Sequence, residues 1–310
     1  MNPANFTQAN LGMLLWAVLI AASFFAAAEV SQAIDPVLLT ALRLLFSALM
    51  FVPLLWLKGS APMTLVGLRA HGLLGLLLAL YFGSLFEALR YTSAVNTGTL
   101  FTLVPLLTLV FEAWLLPGSG QRRRLLPMLV AGAGALLLIL KGGAPGQLPS
   151  LYAMGIYALG CLAMAAYSPL SQRFKAGSLQ GRSPAAMTFW NMLFGSLFLF
   201  VASLASGGWR SAALLRGNDL LWLLYLALFA TLATFWLLHR AIGVIAPSTV
   251  ISYIYLSTLF LTLFHWLWLG QGPQLTEMLG ALLVALGMLG LVRGSRPTAA
   301  AACKGAARRP

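Results

Sequence analysis

Glu112 and His265 are the residues whose types and settings point most directly to chemistry, because each sits inside a long apolar run. If such a run crosses a bilayer, an ionisable group in it costs roughly 2.5–3.5 kcal/mol or more, so its presence calls for a reason. A deep carboxylate at Glu112 can hold a cationic group, carry a coupling proton, or pair with Arg43 or His265 and simply join helices. His265 can face a ligand or serve as a neutral donor between helices. Glu29, Glu87 and Arg90 lie near the outer ends of their runs. Glu87 and Arg90 are spaced for an i,i+3 pair on one helix face. Tyr81, Phe82, Tyr157, Trp236, Tyr253 and Tyr255 lie well inside runs, where rings can stack on a planar solute, hold a cation or pack as core. Asn96, Thr97, Thr99 and Ser252 can hydrogen-bond a solute or a neighbouring helix. His239 and Arg240 close a run and read as interfacial.

Catalytic signatures are missing. The sequence contains no His-Glu-x-x-His, no Gly-x-Ser-x-Gly and no phosphate loop, and its three His residues are scattered. Cys161 lies in an apolar run and Cys303 in a polar tail, so neither a disulfide nor a metal set is expected. These residues predict no catalytic group, no cofactor and no metal. Without a nucleotide-binding loop, work must draw on a gradient or a partner, and Glu112 is the residue placed to couple a proton.

The elements that position these groups follow from composition. Of 310 residues, 60% are hydrophobic and 8% charged, with a mean hydropathy of +0.90, whereas a soluble domain is about 25% charged. A bilayer core needs about 20 apolar residues per helix, and ten runs supply them. They are Leu11–Val30, Pro36–Leu57, His71–Arg90, Ala94–Leu116, Leu125–Leu140, Leu151–Ser171, Pro184–Ser206, Leu220–Arg240, Pro247–Leu269 and Leu275–Val292. Pro105 and Pro169 are expected to break their helices, which a membrane helix tolerates when neighbours satisfy the freed carbonyls. The first run continues for over 20 residues and no Lys or Arg precedes it, so it reads as a retained span rather than a cleaved leader. From residue 293 to 310 the chain is Ala-rich and basic, which predicts a disordered tail.

The net charge of +13 invites a nucleic-acid reading, but the cations sit in short loops between runs and form no stripe. With ten spans, fourteen of the 19 Lys and Arg fall on the side of the even-numbered loops and the tail, among them Arg122, Arg123 and Arg124. Four (Arg90, Lys141, Arg210 and Arg216) fall on the other, and Arg43 is intramembrane. That bias predicts both termini in the cytoplasm, and so an inner-membrane protein of multi-pass type.

The chain also repeats. Pro36 precedes Arg43 by seven residues as Pro184 precedes Asn191, and an offset of 153 pairs Leu116 with Leu269, Pro127 with Gly280, Gly134 with Gly287, and Glu112 with His265. Five spans per half is an odd number, so the second half must run inverted. The fold class predicted is an all-α membrane protein of ten transmembrane helices in two inverted five-helix repeats, residues 11–141 and 151–292. Such repeats recur in transporters, with the substrate near the midplane between halves.

The residues Ile34-Asp35-Pro36 through Arg43, Ala88 through Ala94 followed by Leu103-Val104-Pro105, and Arg240-Ala241-Ile242-Gly243 through Ala246-Pro247 resemble the EamA family of the drug/metabolite transporter superfamily. Gly-containing closing helices at Ala131–Leu140 and Gly280–Val292 extend the likeness to nearly the whole chain. The resemblance implies ten helices and a central cavity lined by helices one, three, four, six, eight and nine, with Arg43 as a family-typical brace. The sequence departs from the family where an acid usually follows helices four and nine: Pro117-Gly118 and Gly270-Gln271 stand there. The expected function is a secondary carrier of a small organic metabolite, with export of amino-acid-like or amphipathic compounds the expected direction. Its partners are then the solute, membrane lipids and protons as coupling ion. Monomer and homodimer are both open, and a lipid flippase or an intramembrane enzyme are the competing classes.

Overall fold

The computed structural model describes residues 3–30, 33–58, 64–92, 94–116, 122–142, 150–269 and 273–294. Ten of its helices are long and apolar enough to cross a membrane. We label them α1 (Pro3–Ala28), α2 (Pro36–Lys58), α3 (Leu65–Leu89), α4 (Ala94–Phe101 and Val104–Leu115), α5 (Arg122–Gly142) and α6 (Leu151–Ala176). There follow α7 (Pro184–Ser206), α8 (Gly217–Ala227, Leu228–Ala233 and Thr234–Ile242), α9 (Pro247–Ser252 and Ile254–Leu269) and α10 (Leu275–Gly294). The face where α1 begins and α10 ends is called here the terminal face, and the other the distal face. The predicted tail beyond residue 294, Cys303, and the Pro117-Gly118 and Gly270-Gln271 positions lie outside the described residues.

Several helix starts follow from local chemistry. Asp35 caps α2 by accepting the Leu38 N–H at 2.9 Å, and Ser183 caps α7 by accepting the Ala186 N–H at 3.1 Å. Both helices then open on proline, whose missing N–H is no loss in the first turn. Thr64 accepts the Gly67 N–H at 3.1 Å, so α3 begins at Leu65 rather than at His71 as the hydrophobic pattern predicts.

The interruptions differ from expectation. α4 does break just before Pro105, with Thr102 and Leu103 in a turn, but α6 runs unbroken through Pro169. Two further irregularities carry neither proline nor glycine: the break of α9 at Tyr253, and a π-helical turn over Leu228–Ala233 in α8. That turn is held by side chains. The Thr234 hydroxyl donates back to Ala230 O at 2.9 Å, the Ser47 hydroxyl of α2 lies 2.8 Å from Ala227 O, and Arg43 Nη2 donates to Ala230 O at 2.8 Å. Carbonyls at this turn are thus contacted from α2.

The tightest seam joins α5 to α10. A Cβ on Gly134 would stand 2.6 Å from Gly280 O and 2.7 Å from Val284 N, and one on Gly287 would stand 2.5 Å from Ala131 N and 2.7 Å from Pro127 O. Only glycine lets these backbones approach, the small-residue packing expected between helices in lipid. Positions 127, 131 and 134 precede 280, 284 and 287 by the same offset, so one contact is the other with the helices exchanged. The two helices run in opposite directions along it. α2 packs on α7, α3 on α6 and α7, and α1 on α8 and α9.

Candidate functional site

Three polar clusters occupy the interior, two of them toward the terminal face. The first joins α4, α5 and α9. Glu112 and Arg124 form a two-pronged pair, Arg124 Nη1 donating to Oε2 at 2.9 Å and Nη2 to Oε1 at 2.6 Å. The Ser248 N–H, in the first turn of α9, donates to Glu112 Oε2 at 3.0 Å, and Arg124 Nη1 donates to Ser248 Oγ at 2.6 Å. All three residues are buried. Planar guanidinium against planar carboxylate is the strongest geometry open to such a pair.

The second cluster joins α3, α6, α7 and α8. Asn191 sits at its centre: its Oδ1 lies 2.7 Å from His71 Nδ1, and its Nδ2 donates to Tyr167 Oη at 2.9 Å. Tyr167 Oη lies 3.0 Å from His239 Nε2. The consistent assignment has Tyr167 donating to a neutral His239 and His71 donating to Asn191. Lys175 Nζ reaches the His239 carbonyl at 3.2 Å. Nearby, Tyr253 donates to Asn10 Oδ1 at 2.6 Å, tying α9 to α1.

The third cluster lies nearer mid-span and toward the distal face. Arg43 Nε bonds Thr231 Oγ1, and its side chain is only partly buried. Tyr81 stands at the same depth on α3, whose distal end the Asp35–Arg90 pair ties to α2. The Tyr81 ring contacts Phe82, Phe101 and Tyr157 at centroid distances of 4.9, 5.6 and 6.4 Å. Tyr157 is buried, whereas Tyr81, Phe82 and Phe101 are partly exposed.

The sequence-predicted residues therefore divide. Tyr81, Phe82 and Tyr157 meet in one aromatic wall with Arg43 beside it. Glu112 pairs with Arg124 and not with Arg43 or His265, a correction with a plain cause. Arg124 reads as a loop cation in the sequence, but the first turn of α5 turns it inward beneath α4. Glu112 and His265 do not share a cavity. Glu112 touches Ser248, and His265 lies seventeen residues further along α9, about 25 Å of helix axis away. His265 is exposed at the distal end, edge-on to Phe25 at 5.8 Å. Ser252, Tyr253 and Tyr255 are buried helix ties: the Ser252 hydroxyl donates to Ser248 O at 2.7 Å and the Tyr255 hydroxyl to Thr102 O at 2.8 Å. Asn96 Nδ2 donates to Thr92 Oγ1 at 2.8 Å. Trp236 lies under the Arg240 guanidinium, 5.5 Å from its ring centroid. Glu87 and Arg90 form the expected i,i+3 pair at 3.2 Å, and Asp35 joins it at 3.5 Å. Glu29 is exposed.

His239 is a further correction: it is buried within the second cluster, not interfacial. His71, Tyr167, Arg124 and Ser248 carry no mark of this role in the sequence. The one signal there is Asn191, the repeat counterpart of Arg43, a polar residue in an apolar run. A cavity of about 830 Å³ lies elsewhere. It is an apolar crevice between α3, α6 and α7, walled by such residues as Leu80, Leu159 and Val201, whose side chains are exposed on the helix bundle's outer surface.

Comparisons with known proteins agree with this architecture. The model of the EamA-like transporter family matches residues 7–140 and again 151–293. A protein of Bacillus subtilis (strain 168) named Uncharacterized transporter YyaM is 25% identical over 209 residues, covering 66% of this chain and 66% of that protein. An Uncharacterized transporter of Archaeoglobus fulgidus is 25% identical over 295 residues, 93% of this chain and 97% of its own length. Against YyaM, then, the chain spans just under two thirds of the relative's length. A solved crystal structure superposes with a TM-score of 0.74 at 18% identity, over 96% of this chain and all of that one. At that identity the likeness speaks for the fold alone.

Proposed function

The chain belongs to the EamA-like transporter family, and on that premise we propose that it is a secondary carrier exporting a small organic metabolite of amino-acid-like or amphipathic character. It works by alternating access of two inverted five-helix halves, residues 11–141 and 151–292. The observation that carries this reading is a one-sided closure. Toward the terminal face, the groups between the halves are wholly buried: His71, Glu112, Tyr167, Asn191, His239 and Ser248. Toward the distal face, Arg43, which bonds Thr231 of the other half, and Tyr81, Phe82 and Phe101, which pack against the core, are partly exposed. A carrier caught with one gate shut has this asymmetry; a structural subunit has no use for it. The reciprocal Gly134 and Gly287 contacts support the inverted pairing, because equivalent halves can exchange conformations at similar energy.

The charge bias supports a cytoplasmic terminal face in an inner membrane. Lipids surround the bundle, protons are the coupling ion we favour, and the chain acts as monomer or homodimer without catalytic chemistry. A flippase would call for a basic head-group site opening on lipid, and the lipid-facing crevice is walled by apolar side chains.

The test is cysteine accessibility in a background lacking Cys161 and Cys303. A single cysteine at Phe82, probed with a membrane-impermeant maleimide, should label from the distal side and be protected by a transported solute. In parallel, the overexpressing strain is screened for growth resistance across a metabolite and toxin panel. Labelling from both sides at once, or no change in accumulation of any compound, would count against the carrier.

A further inference from the structure

Arg43 is an intramembrane cation that meets no acid among the described residues. The chain has six carboxylates, and the ion pairs among the described residues are Arg90 with Asp35 and with Glu87, and Arg124 with Glu112. Asp219 Oδ2 accepts the Arg216 N–H, Glu277 accepts from Trp266 and Gln274, and Glu29 is exposed at the end of α1. Arg43 instead bonds two neutral oxygens, Thr231 Oγ1 and Ala230 O, through Nε and one Nη2 hydrogen. A guanidinium carries five N–H donors in a fixed fork. The remaining Nη2 hydrogen and both on Nη1 have no acceptor among the described residues, on a side chain only partly buried. An intramembrane arginine left in this state is costly, and two dipoles orient its fork without neutralising it.

The wall beside it is aromatic. Asp35 and Arg90 tie the distal ends of α2 and α3, and Arg43, eight residues past Asp35, and Tyr81, nine before Arg90, stand at the same depth on the two helices. Tyr81 packs on Phe82 and Phe101, and all three are partly exposed. A carboxylate on the free side of the fork would supply the missing charge through charge-assisted hydrogen bonds, and a flat apolar body attached to it would lie against the rings. Toward the same face, Asp35 and Glu87 are already paired with Arg90, and Glu29 is exposed at the end of α1. We propose that Arg43 and the Tyr81–Phe82–Phe101 wall form a binding site for an organic monocarboxylate with an aromatic or planar apolar body, with no requirement for an amine. The proposal deepens the carrier reading and rests on it for the side from which the solute is taken or released. It also brings the π-helical turn into the site, since Ala230 O and Thr231 Oγ1 aim the fork.

The experiment compares three probes on the purified full chain in nanodiscs: phenylacetate, its neutral analogue phenylacetamide and the cation phenethylamine. Binding is read by intrinsic tryptophan fluorescence and by ligand-induced thermal shift. Wild type should bind phenylacetate about tenfold or more tighter than phenylacetamide, the difference one charge-assisted bond supplies. Arg43→Gln should erase the preference, and Arg43→Lys should keep part of it. Since Arg43 also ties α2 to α8, Arg43→Gln could misfold. Phe82→Ala then serves: it should weaken phenylacetate and phenylacetamide by the same factor and leave their ratio intact. Wild type that prefers the amide or the amine, or shows no saturable phenylacetate binding, overturns the proposal, as does a folded Arg43→Gln protein that keeps the preference. The carrier reading fails separately. A protein that binds phenylacetate through Arg43 yet moves no solute refutes transport and leaves the site standing, whereas one that moves other solutes but ignores phenylacetate refutes only the site.

Discussion

Removing the Glu112 carboxylate should be among the most damaging single changes possible in this protein. Glu112 accepts hydrogen bonds at 2.9 and 2.6 Å from Arg124 and at 3.0 Å from the Ser248 N–H. Glu112→Ala removes the carboxylate that both Arg124 nitrogens bond, in a site from which solvent is excluded. Breaking a buried pair by deleting one partner costs about 3–5 kcal/mol, or two to three and a half orders of magnitude in the unfolding equilibrium. The assay is reversible unfolding in mixed micelles, with Arg90→Gln as comparison. Its pairs to Glu87 and Asp35 involve an arginine side chain 51% exposed, so this change should cost about 1 kcal/mol or less. A double variant, Glu112→Leu with Arg124→Leu, removes both charges and should recover at least half of the single-variant loss. If Glu112→Ala proves no worse than Arg90→Gln, or if the double variant loses the sum of its two singles, the pair does not hold α4, α5 and α9 together.

Two further outcomes follow from packing and hydrogen bonding. Gly287→Leu places a side chain against Ala131 N and Pro127 O, where a Cβ alone has no room. The α5–α10 seam must open at a cost of about 1–3 kcal/mol or more, read as a lower thermal midpoint and faster cleavage in limited proteolysis. Tyr167→Phe deletes the donor to His239 Nε2 and an acceptor of Asn191, leaving those two buried nitrogens their longer 3.3 Å contact with each other, at a cost of about 1 kcal/mol. If this cluster closes the terminal face, the variant should also raise labelling of a cysteine at Phe82 from that face, whereas unchanged one-sided labelling would separate the cluster from the gate.

How much of this is legible in the sequence depends on the range of the physics involved. A bilayer requires each helix to satisfy its own backbone groups, a local condition, and so ten apolar runs read directly as ten helices. Even α3, which starts six residues before the predicted His71, differs because Thr64 supplies a cap the apolar pattern does not record. The Glu87–Arg90 pair is equally legible, being fixed by spacing along one helix. The repeat offset singles out Gly134, Gly287, Pro127 and Gly280, and the structure brings them into contact.

What the sequence does not determine is which polar group meets which. The same offset that pairs Glu112 with His265 places them far apart, because equal positions on oppositely directed helices fall at opposite ends. Arg124 counts as a loop cation until the rotation of α5 is known, and His239 as an interfacial residue until α6 and α7 bring Tyr167 and Asn191 to it. In water, a polar stripe marks the solvent face of a helix and so reveals its rotation. In a membrane, the lipid and the neighbouring helix are equally apolar, so the sequence of each run reports that it crosses but hardly how it is turned. Rotation and depth are set when the helices pack. That packing alone decides that Glu112 is enclosed by Arg124 and Ser248, while Arg43 keeps a face of its guanidinium free beside an aromatic wall.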